Sequence, residues 1–135
     1  MVEELLGDQK YEILHLNDYQ LKQLGQSLEE DQFQEIFEKI GQADTVVFGT
    51  PIYWHDITGS LKLLLERISE DIDWKSSHIA GKKVILIAQG TAPSRAVLKH
   101  CEFMFQRFCH LTELNYLGMI STMAQILKFK KKVGF

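Results

Sequence analysis

Two short apolar runs, Thr45-Val46-Val47-Phe48 and Lys83 to Gln89 (KVILIAQ), constrain this chain more than any other feature. They are continuous rather than alternating, so as strands they bury side chains on both faces, as in a parallel sheet covered by helices. Helical stripes fall around them. Phe33, Ile36, Phe37 and Ile40 repeat at three- and four-residue spacing behind the acidic start Glu29-Glu30-Asp31, and Gly41 closes that run. Leu61, Leu64, Leu65 and Ile68 make a second stripe, with Thr58 placed to cap it. Val97, Cys101, Met104, Phe105 and Phe108 make a third, entered through Gly90 to Ser94 (GTAPS). Tyr11 to Leu16 (YEILHL) reads as a further strand ending at Asn17-Asp18, and Leu111 to Ile120 as a final one. This alternation predicts an α/β domain with a mainly parallel sheet, and right-handed crossovers put the three helices on one face.

The 135 residues suit one core, and 45% hydrophobic with 24% charged residues excludes a disordered tail or a collagenous repeat. No apolar run approaches the ~18 residues that span a bilayer, and Met1-Val2-Glu3-Glu4 is no signal-peptide start, so the expectation is a soluble, cytoplasmic protein without a membrane partner. A net charge of −3 argues against a nucleic-acid surface, and the basic cluster Lys128, Lys130, Lys131 and Lys132 reads as a solvated terminal tail. Cys101 and Cys109 read as reduced, buried thiols. With His100 and His110 they resemble a metal set. However, adjacent helical residues point about 100° apart and eight residues span ~12 Å, so the four cannot converge and no metal is expected. No G-x-S-x-G elbow, phosphate-binding P-loop or G-x-G-x-x-G fingerprint is present.

The chemistry concentrates where the first apolar run ends. Gly49 permits close backbone approach, Pro51 fixes one φ angle, and Tyr53 and Trp54 offer planar surface at the carboxyl end of a strand, where open α/β sheets place ligands. The alternative is that both aromatics pack beneath the loop as core. His55-Asp56 is either a contact to a bound molecule or a solvated pair. Gln89, Gly90 and Thr91, after the next strand, are a candidate second wall, or simply lead into a helix whose first turn holds Pro93.

Thr45 to Arg67 (TVVFGTPIYWHDITGSLKLLLER) resembles the central motif of the NAD(P)H-dependent FMN reductases and related flavodoxin-like flavoproteins. The residues carrying the likeness are Gly49, Thr50, Pro51, Tyr53, Trp54, Gly59, Leu61, Lys62 and Arg67, and a looser resemblance runs from about Val2 to Ile120. It implies a flavodoxin-like domain over residues 1–120, followed by a tail over 121–135. It also implies FMN as cofactor and NAD(P)H as co-substrate, with a small-molecule or quinone-like acceptor. Thr50, Pro51, Ile52, Tyr53, Trp54, Gln89, Gly90 and Thr91 become cofactor-binding candidates, with no obligatory catalytic side chain, because the flavin supplies the hydride chemistry.

The chain departs from the family pattern at its start. The family's first strand and its Gly/Ser/Thr-rich phosphate loop have no counterpart, so the chain reads as an N-terminally truncated version, or its four remaining strands close the gap, and FMN binding is expected to be weak or absent. The alternative function is a cofactor-free flavodoxin-like relic or association module. The family's last helix is expected to be absent or vestigial in Ser121 to Phe135. One sheet face is then left bare, which predicts a homodimer or higher oligomer that packs this face or pairs a strand edge exposed by the missing central strand.

Overall fold

The computed structural model describes residues 1–27, 29–70 and 78–135. Among them, β1 (Thr45–Pro51), β2 (Lys83–Gln89) and β3 (Asn115–Ile120) form a parallel sheet in the order β1-β2-β3. Pairing runs from Thr45 opposite Lys83 to Pro51 opposite Gln89. Side chains of β2 alternate between two cores, as the pleat requires. Val84, Leu86 and Ala88, with Phe48, pack against α2 (Phe33–Gln42), α3 (Gly59–Ser69) and α4 (Arg95–Leu111). Ile85 and Ile87 pack on the opposite face against Leu5 of α1 (Val2–Leu6) and Ile126 and Phe129 of α5 (Met123–Val133). The three predicted helices share one face, and their apolar stripes are the ones buried.

Local chemistry sets the helix starts. The Thr58 hydroxyl accepts the Leu61 N–H (3.3 Å) and the Ser94 hydroxyl accepts the Val97 N–H (3.2 Å), each satisfying a donor that the first helical turn leaves open. At α2 the same service comes from Asp31, whose carboxylate accepts the Phe33 N–H (3.3 Å).

The structure corrects four expectations. Tyr11 to Leu16 forms no strand; only a short 3-10 turn, Leu16–Asp18, follows it. A strand needs a neighbouring edge, and the nearest one, that of β1, stands across a cavity of about 700 Å³. Among the described residues no strand lies between Tyr11 to Leu16 and β1. The final strand starts at Asn115 rather than Leu111, because α4 runs on to Leu111 and Glu113 then turns the chain at φ +58°. Ser121 to Phe135, expected to hold an absent or vestigial helix, carries the eleven residues of α5. Its start is held by the Gln125 side chain, which accepts the N–H groups of Ser121 (2.7 Å) and Thr122 (3.1 Å). Finally, the second sheet face is not bare. Although α1 is short, it and α5 bury Ile85, Ile87 and Ile120 between them, which removes the argument for self-association through that face.

Two lysines of the terminal cluster help to hold this cover. Lys130 Nζ donates to the Glu4 carbonyl (3.0 Å) and Lys132 Nζ to the Leu117 carbonyl (3.2 Å). The ring of Phe129 fits over Gly118, where β3 changes register against β2 between Val84 and Ile85. Gly118 has φ +144°, and a Cβ there would lie 2.7 Å from Phe129 Cε2, so both backbone and packing call for glycine.

Candidate functional site

The carboxyl ends of β1 and β2 lie side by side, and their pairing continues one step beyond β1: the Ile52 N–H donates to the Gln89 carbonyl (2.6 Å). Gly90 follows. A Cβ at Gly90 would sit 3.1 Å from Ile52 Cβ, so glycine lets the two loops close against each other. Beyond this contact the loops surround a cavity of about 810 Å³, within the range of small-molecule sites. Pro51, Ile52, Tyr53 and Trp54 line it from one side, and Gln89, Gly90 and Thr91 from the other. Seven of the eight candidates are thus brought together.

The eighth, Thr50, is buried and turned inward. Its hydroxyl donates to the Pro51 carbonyl (2.8 Å) and accepts the Thr58 N–H (3.1 Å), locking the end of β1 to the cap of α3. Gly49 also lies elsewhere: it borders the cavity beside Tyr11 to Leu16, and a Cβ on it would touch nothing within 4 Å. Residues the sequence reading did not assign to the site complete the lining. His55 belongs to the His55-Asp56 pair, while Ala92, Pro93 and Ser94 belong to the second loop as a helix lead-in. Val97 carried no sequence signal, because its place in the apolar stripe of α4 reads as core.

The aromatics do not pack beneath the loop. Tyr53 is 68% and Trp54 91% exposed. They stand on a four-residue turn closed by Tyr53 N–H to Asp56 O (3.0 Å) and Asp56 N–H to Tyr53 O (3.2 Å). Its two central residues, Trp54 (φ +48°) and His55 (φ +66°), take the left-handed conformation that such turns usually reserve for Asn and Gly. Ala92 in the facing loop does the same at φ +47°. Among the described residues four non-glycines have positive φ, and three of them line this cavity. Conformations of this kind cost on the order of 1–3 kcal/mol each and gather where a ligand or reaction requires them.

Asp56 anchors the turn to the protein. One carboxylate oxygen accepts the Ile57 N–H (2.7 Å), and the other lies 3.2 Å from His100 Nε2 on α4. The Cys101 Sγ is 3.9 Å from the same carboxylate, and burial together with that negative charge raises its pKa. Burial alone pushes the Cys109 thiol up to about 12. Both sulfurs are therefore protonated and unreactive near neutral pH.

The arginine that ends the sequence motif lies outside this cavity. Arg67 is buried and pairs with Asp31 through two hydrogen bonds (Nη1 to Oδ1 2.9 Å, Nη2 to Oδ2 2.7 Å), donates to the Lys22 carbonyl (3.1 Å), and stands 4.6 Å from the Phe33 ring centre. It joins the end of α3 to the loop entering α2. The Arg67 hydrogen bonds hold the Asp31 pKa below its ordinary value near 3.8.

A flavin ring needs an apolar or aromatic wall beside backbone donors, and this cavity offers both. The N–H groups of Gly90, Thr91 and Ala92 have no acceptor among the described residues, and they border the cavity opposite Tyr53 and Trp54. Among the described residues no lysine or arginine lines it. The residues therefore fit the ring and provide no cation for a phosphate.

Comparisons with known proteins agree with the fold. The chain is 29% identical over 117 residues to YwqN of Bacillus subtilis, which is assigned as an NAD(P)H-dependent FMN-containing oxidoreductase. That match covers 82% of this chain and 61% of the relative, so the chain spans less than two thirds of that protein's length. The Trp repressor binding protein from Bacillus subtilis superposes with a TM-score of 0.71 at 21% identity, covering 98% of this chain and 84% of the other. The general stress protein 14 of Treponema denticola, solved in complex with FMN, superposes with a TM-score of 0.55 at 18% identity, covering 76% and 67%. The two superpositions establish the flavodoxin-like fold. The NADPH-dependent FMN reductase family matches across residues 1–123, and the chain belongs to it.

Proposed function

We propose that this chain binds the isoalloxazine ring of FMN between the loop Pro51–Asp56 and the loop Gln89–Ser94, and takes part in NAD(P)H-dependent reduction of a small, quinone-like acceptor. The observation that carries this reading is the convergence of the two loops on one cavity, with Tyr53 and Trp54 exposed on a turn held in left-handed conformation. When bound, the flavin supplies the hydride-accepting and hydride-donating chemistry. The protein's part is placement. Tyr53 and Trp54 offer apolar planes, and the free N–H groups of Gly90, Thr91 and Ala92 are donors for the polar pyrimidine edge. Asp56, tied to Ile57 and His100, fixes the turn that carries the aromatics.

Because the described lining residues include no lysine or arginine, ring contacts supply most of the affinity, and FMN and riboflavin bind with dissociation constants within about threefold of each other. Anaerobic mixing of the protein with FMN and NADPH or NADH, followed by flavin absorbance, tests the activity. The reading expects flavin bleaching faster than in protein-free controls, with the gain lost in Tyr53→Ala. A cofactor-free association module would give identical bleaching with and without protein, and that result would sink the proposal.

A further inference from the structure

The turn that carries Tyr53 and Trp54 is held at both of its ends. At its start the Ile52 N–H donates to the Gln89 carbonyl at the end of β2 (2.6 Å). At its close the Asp56 carboxylate meets α4: Oδ2 lies 3.2 Å from His100 Nε2, and Oδ1 lies 3.9 Å from Cys101 Sγ. Oδ1 also accepts the Ile57 N–H (2.7 Å), which aims the carboxylate. Adjacent helical residues point about 100° apart, so His100 and Cys101 reach the two oxygens from different sides.

The same helix belongs to the other wall of the cavity. It is entered from Gly90 to Ser94, its first turn is capped by the Ser94 hydroxyl, and Val97 lines the cavity. Val97, His100 and Cys101 stand at i, i+3 and i+4, on one side of the helix. One rigid element therefore bears the second loop at its start and grips the first loop a turn later. Among the described residues, the contacts of Asp56 with His100 and Cys101 are the side-chain hydrogen bonds that join the two walls.

The two contacts are unequal. Cys101 is buried, and a thiol at this distance is a weak donor. The His100 side chain is 58% exposed, so it packs little, and its Nε2 donates both in the Nε2–H tautomer and in the imidazolium. What it brings to this place is the hydrogen bond. The turn needs such an anchor, because Trp54 and His55 both hold the left-handed conformation, which persists only where the surroundings over-determine it.

We propose that His100 is a positioning residue for the flavin ring: by donating to Asp56 it clasps the aromatic turn to α4 and holds Tyr53 and Trp54 opposite the amides of Gly90 to Ala92. His100 does not line the cavity and acts through Asp56. The role rests on the flavin reading above, and its test separates the two.

The wild-type chain is compared with His100→Ala and His100→Gln in two measurements. In the ligand-free proteins, amide exchange followed by NMR reads the N–H groups of Tyr53 and Asp56, with Leu86 in β2 as the record of overall stability. Quenching of FMN fluorescence reads affinity. An exposed pair of this kind changes an equilibrium by about two- to fivefold, so His100→Ala should speed exchange at Tyr53 and Asp56 and weaken FMN by that factor, leaving Leu86 unchanged. His100→Gln, whose amide reaches about as far as the ring Nε2, should return both to near the wild-type values. In an Asp56→Ala background, His100→Ala should alter neither the Tyr53 exchange rate nor the affinity. Unchanged exchange in His100→Ala would overturn the clasp, and faster exchange with unaltered FMN affinity would overturn its part in placing the ring. A His100→Gln protein that behaves like His100→Ala would also overturn it, since the hydrogen bond would then not be what matters. A wild-type chain that leaves FMN fluorescence untouched would sink the flavin reading itself, and this role with it.

Discussion

Replacing Trp54 by glycine should separate what this residue does for the fold from what it does for the site. The indole is 91% exposed, and its backbone sits at φ +48°. An L-residue in that conformation costs about 1–2 kcal/mol, which glycine recovers. Against this stand about 0.5–1 kcal/mol for the larger backbone entropy of glycine in the unfolded chain. Lost burial is small: the hidden tenth of a side chain of roughly 250 Å² is ~20 Å², or about 0.5 kcal/mol. The terms nearly cancel, so stability should change by no more than about 1 kcal/mol, where a core tryptophan would lose about 3–5 kcal/mol on truncation. Affinity for the flavin should meanwhile fall by about two- to tenfold, the equivalent of ~0.5–1.5 kcal/mol of ring stacking. Urea unfolding followed by far-ultraviolet circular dichroism gives the first quantity, and quenching of FMN fluorescence gives the second. A stability loss of about 3 kcal/mol or more would return Trp54 to the core. Unchanged affinity would remove it from the site.

Two further outcomes concern the frame that holds the loops. Gly118→Ala places a Cβ 2.7 Å from Phe129 Cε2 at φ +144° and should cost about 2–4 kcal/mol in urea unfolding, with a smaller increment in a Phe129→Ala background. A loss below about 1 kcal/mol would show that α5 yields freely at this contact. For Asp31 the folded pKa is depressed, so the stability it contributes is fully present above its unfolded value near 3.8 and is lost as pH falls through the lower folded value. Asp31→Asn should cost about 1.5–3 kcal/mol at pH 7 and flatten the loss of stability below about pH 4, and parallel acid limbs in the two proteins would refute this.

The sequence is most legible where a local pattern and its burial coincide. Val84 to Ala88 reads as a strand covered on both faces because its residues alternate between two cores, and Thr58 reads as a cap because a hydroxyl before an apolar stripe has few other uses, whereas Pro93, expected in a first helical turn, precedes the Ser94 cap of α4. Tyr11 to Leu16 has the composition of a strand and lacks the partner that would make it one, and pairing is a tertiary fact that no local pattern contains. The helix α5 was hidden by its lysines. Met123 to Val133 looks like a basic tail until Ile126 and Phe129 are seen to share a face against Ile85 and Ile120. In the candidate site, Pro51 to Trp54 and Gln89 to Thr91 were visible as loops ending adjacent strands. The inward turn of Thr50 was not, because a threonine beside a proline gives no sign of which way its hydroxyl points.

The central claim is that the loops ending β1 and β2 hold a flavin ring together. Its most direct test is a titration of the isotope-labelled chain with FMN, observed through backbone amide shifts. Perturbations should concentrate at Ile52 to Asp56 and Gly90 to Ser94, include both loops at the same midpoint, and be reproduced by riboflavin. Shifts confined to one loop, shifts centred on the cavity beside Tyr11 to Leu16, or an unchanged spectrum at millimolar FMN would contradict the account.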